Sequence, residues 1–226
     1  MKKTLLLAFV IFIGCNVKNR NENGNLEYRN ALIKELKFVK ANTKTIKEED
    51  TIRTVFEGNQ YTLYPDGKIE IFKSNNIIDS LRLDIKDIIE EAYFYSFKNN
   101  FIVFYTETDF DVSASFVEWF DKDSYKVKWK NEVGGFNLAS PYILDSLCYV
   151  ASIGFVGKLN LNNGKYFWKH DDLYDKTKFD AFHGIEFKND CIHFIQSKSN
   201  INNGEPGRVI IQDESGEIKE IIKNVR

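Results

Sequence analysis

Apolar residues along this chain recur at every second position or in short runs, with turn-forming residues between them, and that spacing predicts strands. Residues 142–170, YILDSLCYVASIGFVGKLNLNNGKYFWKH, carry the pattern most fully. Within them 147–152 is apolar and rich in strand formers, Gly154 and Gly157 punctuate a turn, and Leu159 and Leu161 alternate with polar neighbours like a strand with one buried face. Asn162-Asn163-Gly164 then closes a hairpin, because Asn and Gly accept positive φ at small steric cost. Tyr166 and Trp168 share one face of the strand that leads out.

Three other stretches repeat this hairpin: residues 68–83 about Ser74-Asn75-Asn76, residues 116–129 ending at Trp129, and residues 208–222 about Glu214-Ser215-Gly216. Four units at intervals of about 40 to 50 residues match the period of a four-stranded propeller blade. Residues 51–57 and 60–63 alternate about a turn, and Tyr64-Pro65-Asp66-Gly67 forms a second turn, so three strands are expected in the first unit. The acidic stretch 84–91 interrupts the pattern and predicts a loop or a single helical turn, whereas 92–97 and 101–106 read as aromatic-rich strands. Residues 185–187 and 191–196 pair about Asn189-Asp190. Residues 198–207, rich in Asn and Gly, form the loop expected to serve as a binding edge, since loops on a rigid scaffold carry recognition. Residues 26–40 read as a short helix or packing arm, with 36–39 equally readable as a strand, and 41–50 as a loop.

The segment YVASIGFVGKLNLNNGKYFWKH resembles the repeat of pyrroloquinoline-quinone-like (PQQ-like) β-propellers: an apolar strand, Gly, Leu-x-x-Leu, an Asn-rich turn with Gly-Lys, and a short run to Trp168. The unit at 116–129 keeps the terminal Trp129 but has Ser124-Tyr125 where the repeat has Gly-Lys, and the units at 68–83 and 208–222 lack the Trp. The resemblance implies an all-β fold over residues 51–226, a small or incomplete propeller of four to five blades, with Trp119, Trp129 and Trp168 mostly in blade cores and residues 26–50 as linker, arm or partial unit. Quinone-dependent enzymes of that family are built on a larger wheel with a metal-bound cofactor in its channel. This chain has about half the required length and no matching ligand set, so the expectation is a non-enzyme without cofactor.

The first residues, MKKTLLLAFVIFIGC, place two lysines before an apolar run from 5 to 13. That run is far shorter than the roughly 20 residues needed to cross a bilayer, and residues 1–14 read as a signal peptide. Phe12-Ile13-Gly14-Cys15 resembles the lipobox of bacterial lipoproteins. The resemblance implies cleavage before Cys15, diacylglycerol on its thiol and a fatty acid such as palmitate on its amine. At about 0.8 kcal/mol per buried methylene, two or three chains hold a protein firmly at a membrane. Residues 15–25 are polar and Asn-rich, a flexible tether. The tether lacks an acidic export run, and Asn16 is not the Asp that resembles an inner-membrane retention signal, so the expected location is the outer membrane, facing the periplasm.

Composition narrows the function classes. Removing Lys2 and Lys3 with the signal peptide takes the formal net charge from −2 to −4, which gives nucleic acid no clustered basic surface to bind. Cys148 and Cys191 occupy similar places in consecutive units, where equivalent strands stand too far apart for a disulfide, and two buried free thiols are expected. Glu107, Asp109 and Asp111 alternate like calcium ligands, yet without the Gly and distant Glu of a calcium loop they read as a solvated hairpin tip. His170 beside Asp171, Asp172 and Asp175 lacks a second His or Cys at ligand spacing, and His183 and His193 fall on or beside strands as structural residues. No metal is expected, and no nucleophile elbow, phosphate cradle, CxxC or HExxH occurs. The function expected is therefore that of a membrane-anchored binding or scaffold module for a protein or glycan partner in the cell envelope. The alternatives are an immunity or inhibitor lipoprotein and a quinone-dependent enzyme remnant.

Overall fold

The computed structural model describes residues 51–56, 58–97, 100–109, 112–121, 123–197 and 206–223. The expectations for the signal peptide, Cys15, the tether, the arm at 26–50, Asp111 and residues 198–205 lie outside the described residues.

Among the described residues sixteen strands form four antiparallel sheets, each built from four consecutive strands in chain order. The first blade is β1 (Ile52–Phe56), β2 (Asn59–Leu63), β3 (Lys68–Lys73) and β4 (Asn76–Arg82). The second is β5 (Ile88–Phe97), β6 (Asn100–Asp109), β7 (Val112–Asp121) and β8 (Val127–Glu132). The third is β9 (Tyr142–Leu144), β10 (Leu147–Ser152), β11 (Phe155–Asn160) and β12 (Tyr166–His170). The fourth is β13 (Phe182–Lys188), β14 (Cys191–Gln196), β15 (Arg208–Gln212) and β16 (Ile218–Ile222), and a short helix α1 (Leu173–Thr177) links it to the third. The four hairpins expected from the sequence are the third and fourth strands of the four blades.

Strand–turn–strand meanders of this length cannot bury both faces alone, and here they do so by stacking. Three hydrophobic clusters fill the seams between successive blades. Leu63, Ile69, Phe94, Phe101 and Phe120 pack in the first seam. Ile102, Phe104, Trp119, Val150 and Leu159 pack in the second, and Tyr149, Val156, Phe182, Phe194 and Val209 in the third. Alternate residues of β6 thus enter different seams, which is why residues 101–105 read as a continuous apolar run rather than an alternating one. Among the described residues no such cluster joins the first and fourth blades. This architecture is that of a four-bladed, small or incomplete β-propeller.

One irregularity recurs in every blade. The register between third and fourth strands slips by one residue after Ile71, Trp119, Lys158 and Ile210, so that Ile78, Lys128, Phe167 and Lys219 have no ladder partner. Two residues before each renewed pairing the chain adopts positive φ, at Asn75 (66°), Tyr125 (52°), Gly164 (73°) and Gly216 (74°). A β-bulge at the same place in all four units is a designed bend of the outer strand, not a defect. It also shifts the match between the units: Tyr125, not Ser124-Tyr125, takes the place of the turn Gly164, and Lys126 matches Lys165.

Several local expectations are corrected. Gly157 lies inside β11 rather than in the turn, and β11 is buried on both faces, Lys158 included. The first blade has four strands, not three. Ile88–Glu91 opens β5, because Ile89 inserts into the first core cluster. Glu107 is no hairpin tip: it is buried in β6, where its Oε2 accepts the Lys86 N–H at 3.1 Å. Cys148 is buried and Cys191 half-buried, both free, on the second strands of adjacent blades.

Candidate binding edge between the second and third blades

How the blades are fastened defines which surfaces remain for function. At the second seam Trp129 lies over the hairpin turn of the third blade: its Nε1–H donates to Leu161 O at 3.2 Å, and Asn131, two residues on, donates to Gly164 O. The third seam repeats the arrangement. Trp168 Nε1–H donates to Asp213 O at 2.8 Å, and His170 Nε2 bonds Gly216 O at 2.7 Å. A Cβ at Gly164 would stand 2.7 Å from Trp129 Cδ2, and one at Gly216 would likewise meet the Trp168 ring, so glycine is required where the indole docks. Trp119 packs inside the second seam. Two of the three tryptophans therefore bind blade to blade, and His170 is engaged in the same joint. Among the described residues no group of three or more His, Cys, Asp or Glu side chains is placed to hold a metal ion.

The first seam uses different chemistry. Asp79 stands at the position of the docking Trp, and the bulk is supplied from the other side by Tyr125, which packs against the first cluster. Burial, with the Asp79 carboxylate adding to it, pushes the Tyr125 hydroxyl pKa up. On the fourth blade the corresponding residue is Glu220, which is exposed.

Two polar clusters are buried in the seams. In the third, Lys158 Nζ lies 2.9 Å from Asp213 Oδ1 with both side chains about a tenth exposed (9% and 10%), and Tyr149 OH donates to the same oxygen at 2.6 Å. In the first, Glu118 Oε1 accepts from the Tyr105 hydroxyl and from the Asp84 N–H at 3.2 Å, with Lys130 Nζ at 3.5 Å. Burial pushes the Glu118 pKa up, against the lowering influence of Tyr105 and Lys130. With Glu107 accepting from Lys86, these carboxylates strap the link between the first two blades onto the second. All of these groups are spent on architecture.

A cleft of about 390 Å³ stands open at one edge of the second seam, lined by the start of β7, the link after β8, the β10–β11 turn and the end of β12. Ser115 fixes its floor: the Ser115 N–H donates to Gly134 O at 2.7 Å, its C=O accepts from Val133 N–H at 2.8 Å, and its hydroxyl bonds Gly135 O. Ser152 Oγ donates to Val133 O at 2.7 Å from the third blade. Ile153 N–H donates to Phe136 O at 3.0 Å, and Leu173 N–H to Gly154 O at 3.0 Å, which seats α1 beside the turn. Of the lining residues Val112 is 69% exposed, and on the adjoining link and on α1 Phe136 (44%) and Tyr174 (42%) are exposed as well. Glu132, Lys169 and Asp171 supply charge, the last two joined by an ion pair of 3.1 Å.

The sequence pointed instead to the loop at 198–207. Of that stretch Pro206 and Gly207 are described, and both are buried, Gly207 N–H donating to Gln196 Oε1 at 3.3 Å. The cleft was missed because four distant segments compose it; the adjacent glycines 134 and 135 followed by Phe136 were its one local signal.

No protein-family model matches the chain, and no curated protein matches it. Among solved structures it is similar to the quinohemoprotein alcohol dehydrogenase ADHIIG of Pseudomonas putida HK5, with a TM-score of 0.47 and 11% identity over 82% of this chain and 35% of that one. It is also similar to the WD40 β-propeller domain of Doa1, with a TM-score of 0.43 and 16% identity over 84% and 65% of the two chains. For BamB from Moraxella catarrhalis the values are 0.35, 9%, 82% and 67%. The chain spans about a third of the length of the dehydrogenase. Its own four sheets and three seams define the propeller architecture.

Proposed function

We propose that the protein is a membrane-anchored, non-enzymatic interaction module of the cell envelope, tethered through a lipidated Cys15 to the outer membrane on its periplasmic side and presenting one blade edge to a protein partner. The observation that carries the reading is the cleft edge itself: Val112 is exposed beside Ile153 over a floor fixed by buried backbone and Ser hydrogen bonds, with Phe136 and Tyr174 exposed on the adjoining segments. Large apolar side chains grouped on a rigid surface mark sites of association. The PQQ-like repeat read from residues 149–170 supports the same class, since such blades serve as scaffolds as well as enzymes.

The anchor is tested by Cys15→Ala. The expected outcome is loss of palmitate labelling and release of the protein from the membrane pellet into the soluble periplasmic fraction. A wild-type protein that is unlabelled and already soluble would remove the anchor from the proposal.

A further inference from the structure

The β-bulge shared by the four blades fixes which residues hold equivalent places, and at one such place the first blade differs. The third-strand residue next after the bulge, with its partner on the second strand, makes the pair Phe101↔Phe120 in the second blade, Cys148↔Leu159 in the third and Ile192↔Ile211 in the fourth. All six side chains are at most 1% exposed, and each pair lies in the cluster that joins its blade to the one before it. In the first blade the pair is Gln60↔Phe72, and both are only half-buried. The row continues to Val55 on β1 and Ile77 on β4, which are 60% and 57% exposed. The back of the first blade is thus patterned as a joint, and among the described residues no hydrophobic cluster covers it.

Two further features mark this face as one that receives a segment of chain. Glu70 accepts the Tyr64 hydroxyl at 2.6 Å, just as Glu118, at the same place in the second blade, accepts that of Tyr105. Glu118 also takes the Asp84 N–H from the link that enters its blade. Thr62, in the middle of the face, is 2% exposed.

Three occupants are to be weighed: the fourth blade of the same chain, the fourth blade of a second copy, and residues 36–50, which lead into β1. The first two offer one surface, the row Glu186, His193, Ile210 and Glu220, with an exposed Glu where two of the joints carry a docking Trp. Setting that row on Val55, Phe72 and Ile77 would desolvate carboxylates against apolar side chains, which is costly. Residues 36–40, Leu-Lys-Phe-Val-Lys, carry three large apolar side chains instead. The thirteen residues from Phe38 to Thr51 reach up to about 43–47 Å when extended, and a four-stranded sheet is only about 14 Å across.

We infer that residues 36–50 dock on the back of the first blade as the partial unit before it, with Leu36, Phe38 and Val39 covering Val55, Phe72 and Ile77. The chain thereby closes its own leading face. The distance from an anchor at Cys15 to the first blade is then set by residues 15–35 and not by the whole of 15–50, and the docking itself is independent of lipid on Cys15.

The test uses the full chain in intact cells, with photoreactive p-benzoylphenylalanine placed singly at Ile77, Phe38 or Ile222; after irradiation the joined peptides are identified by digestion and mass spectrometry. Ile77 is expected to join residues 36–50, and Phe38 to join residues 55–77, both within one chain. Ile222, 41% exposed on the fourth blade, is expected to join neither. Phe38→Asp puts a charge on the apolar contact and is expected to lower the yield from Ile77 at least about tenfold, while Asn42→Asp, with the same charge outside the apolar run, leaves it unchanged. If the Phe38→Asp protein does not accumulate, Phe38→Ala replaces it and must show a loss in the same direction. Joining of Ile77 to the fourth blade of its own chain means ring closure, and a product of doubled mass means a second copy; either overturns the inference. So does a yield unmoved by the Phe38 substitution, or the absence of joined peptides from both Ile77 and Phe38.

Discussion

Glu118 shows how a single side chain can be held at a cost. Three donors converge on its Oε1 while its Oε2 is enclosed without a hydrogen-bond partner. An enclosed carboxylate is penalised when charged, and its pKa lies above the ordinary 4.5. The folded protein therefore holds this proton to higher pH than the unfolded chain does. Where the native state binds more protons, stability falls as pH rises, so the contribution is most favourable below pH 4.5 and is lost as pH climbs through the folded-state pKa. Glu118→Gln keeps an acceptor for Asp84 and Tyr105 without the charge. The expected outcome is that its urea midpoint, compared with that of the wild type, improves steadily from pH 4 to pH 8; a constant difference across that range would show that Glu118 titrates normally.

At the scale of elements, the blades are one hairpin design with three kinds of joint. Tyr149, Lys158 and Asp213 in the third seam hold the places of Ile102, Trp119 and Leu161 in the second, so an ion pair and an apolar cluster do the same work in neighbouring seams. Removing one partner of a buried pair strands a charge and costs about 3–5 kcal/mol, whereas replacing both by apolar groups is often neutral. Asp213→Leu is accordingly expected to destabilise the protein by about 3–5 kcal/mol, and adding Lys158→Met to recover most of that, as read from chemical denaturation. Equal destabilisation in the double variant would mean that Asp213 acts through its turn rather than through the pair. The hairpins behind these joints were legible because Asn, Ser and Gly stand where positive φ is needed, at Asn75, Gly164 and Gly216. The docking role of Trp129 and Trp168 was not legible, because each acts on a turn more than 30 residues away in the next blade.

For the whole molecule, the ends of the stack differ from its joints. Glu220 replaces the docking Trp on the last blade, and the facing row of that blade is Glu186, His193, Ile210 and Glu220. The corresponding row of the first blade is Arg53, Thr62, Glu70 and Ser80, polar throughout, with Thr62 and Glu70 buried. Stacked repeats need terminal units with polar outer faces to stay soluble. A chain ended after Asp180 would uncover Tyr149, Val156 and Trp168 of the third seam. It is expected to appear in the insoluble fraction on expression without the anchor, while the same chain with the fourth blade intact remains in solution. Equal solubility of the two would remove the capping role from the fourth blade.

The sequence by itself determined the local grammar: alternation and turn chemistry set the hairpins and their period, since those depend on near neighbours and on which residues tolerate positive φ. It also carried the lipobox-like stretch ending at Cys15, on which the proposed anchor rests. The tertiary structure alone decided which blade faces meet, which tryptophans dock, where Lys158 and Glu118 are buried, and that the start of β7 lines a cleft. Those features join segments separated by tens of residues, and their energies come from packing and desolvation that exist only once the blades are stacked.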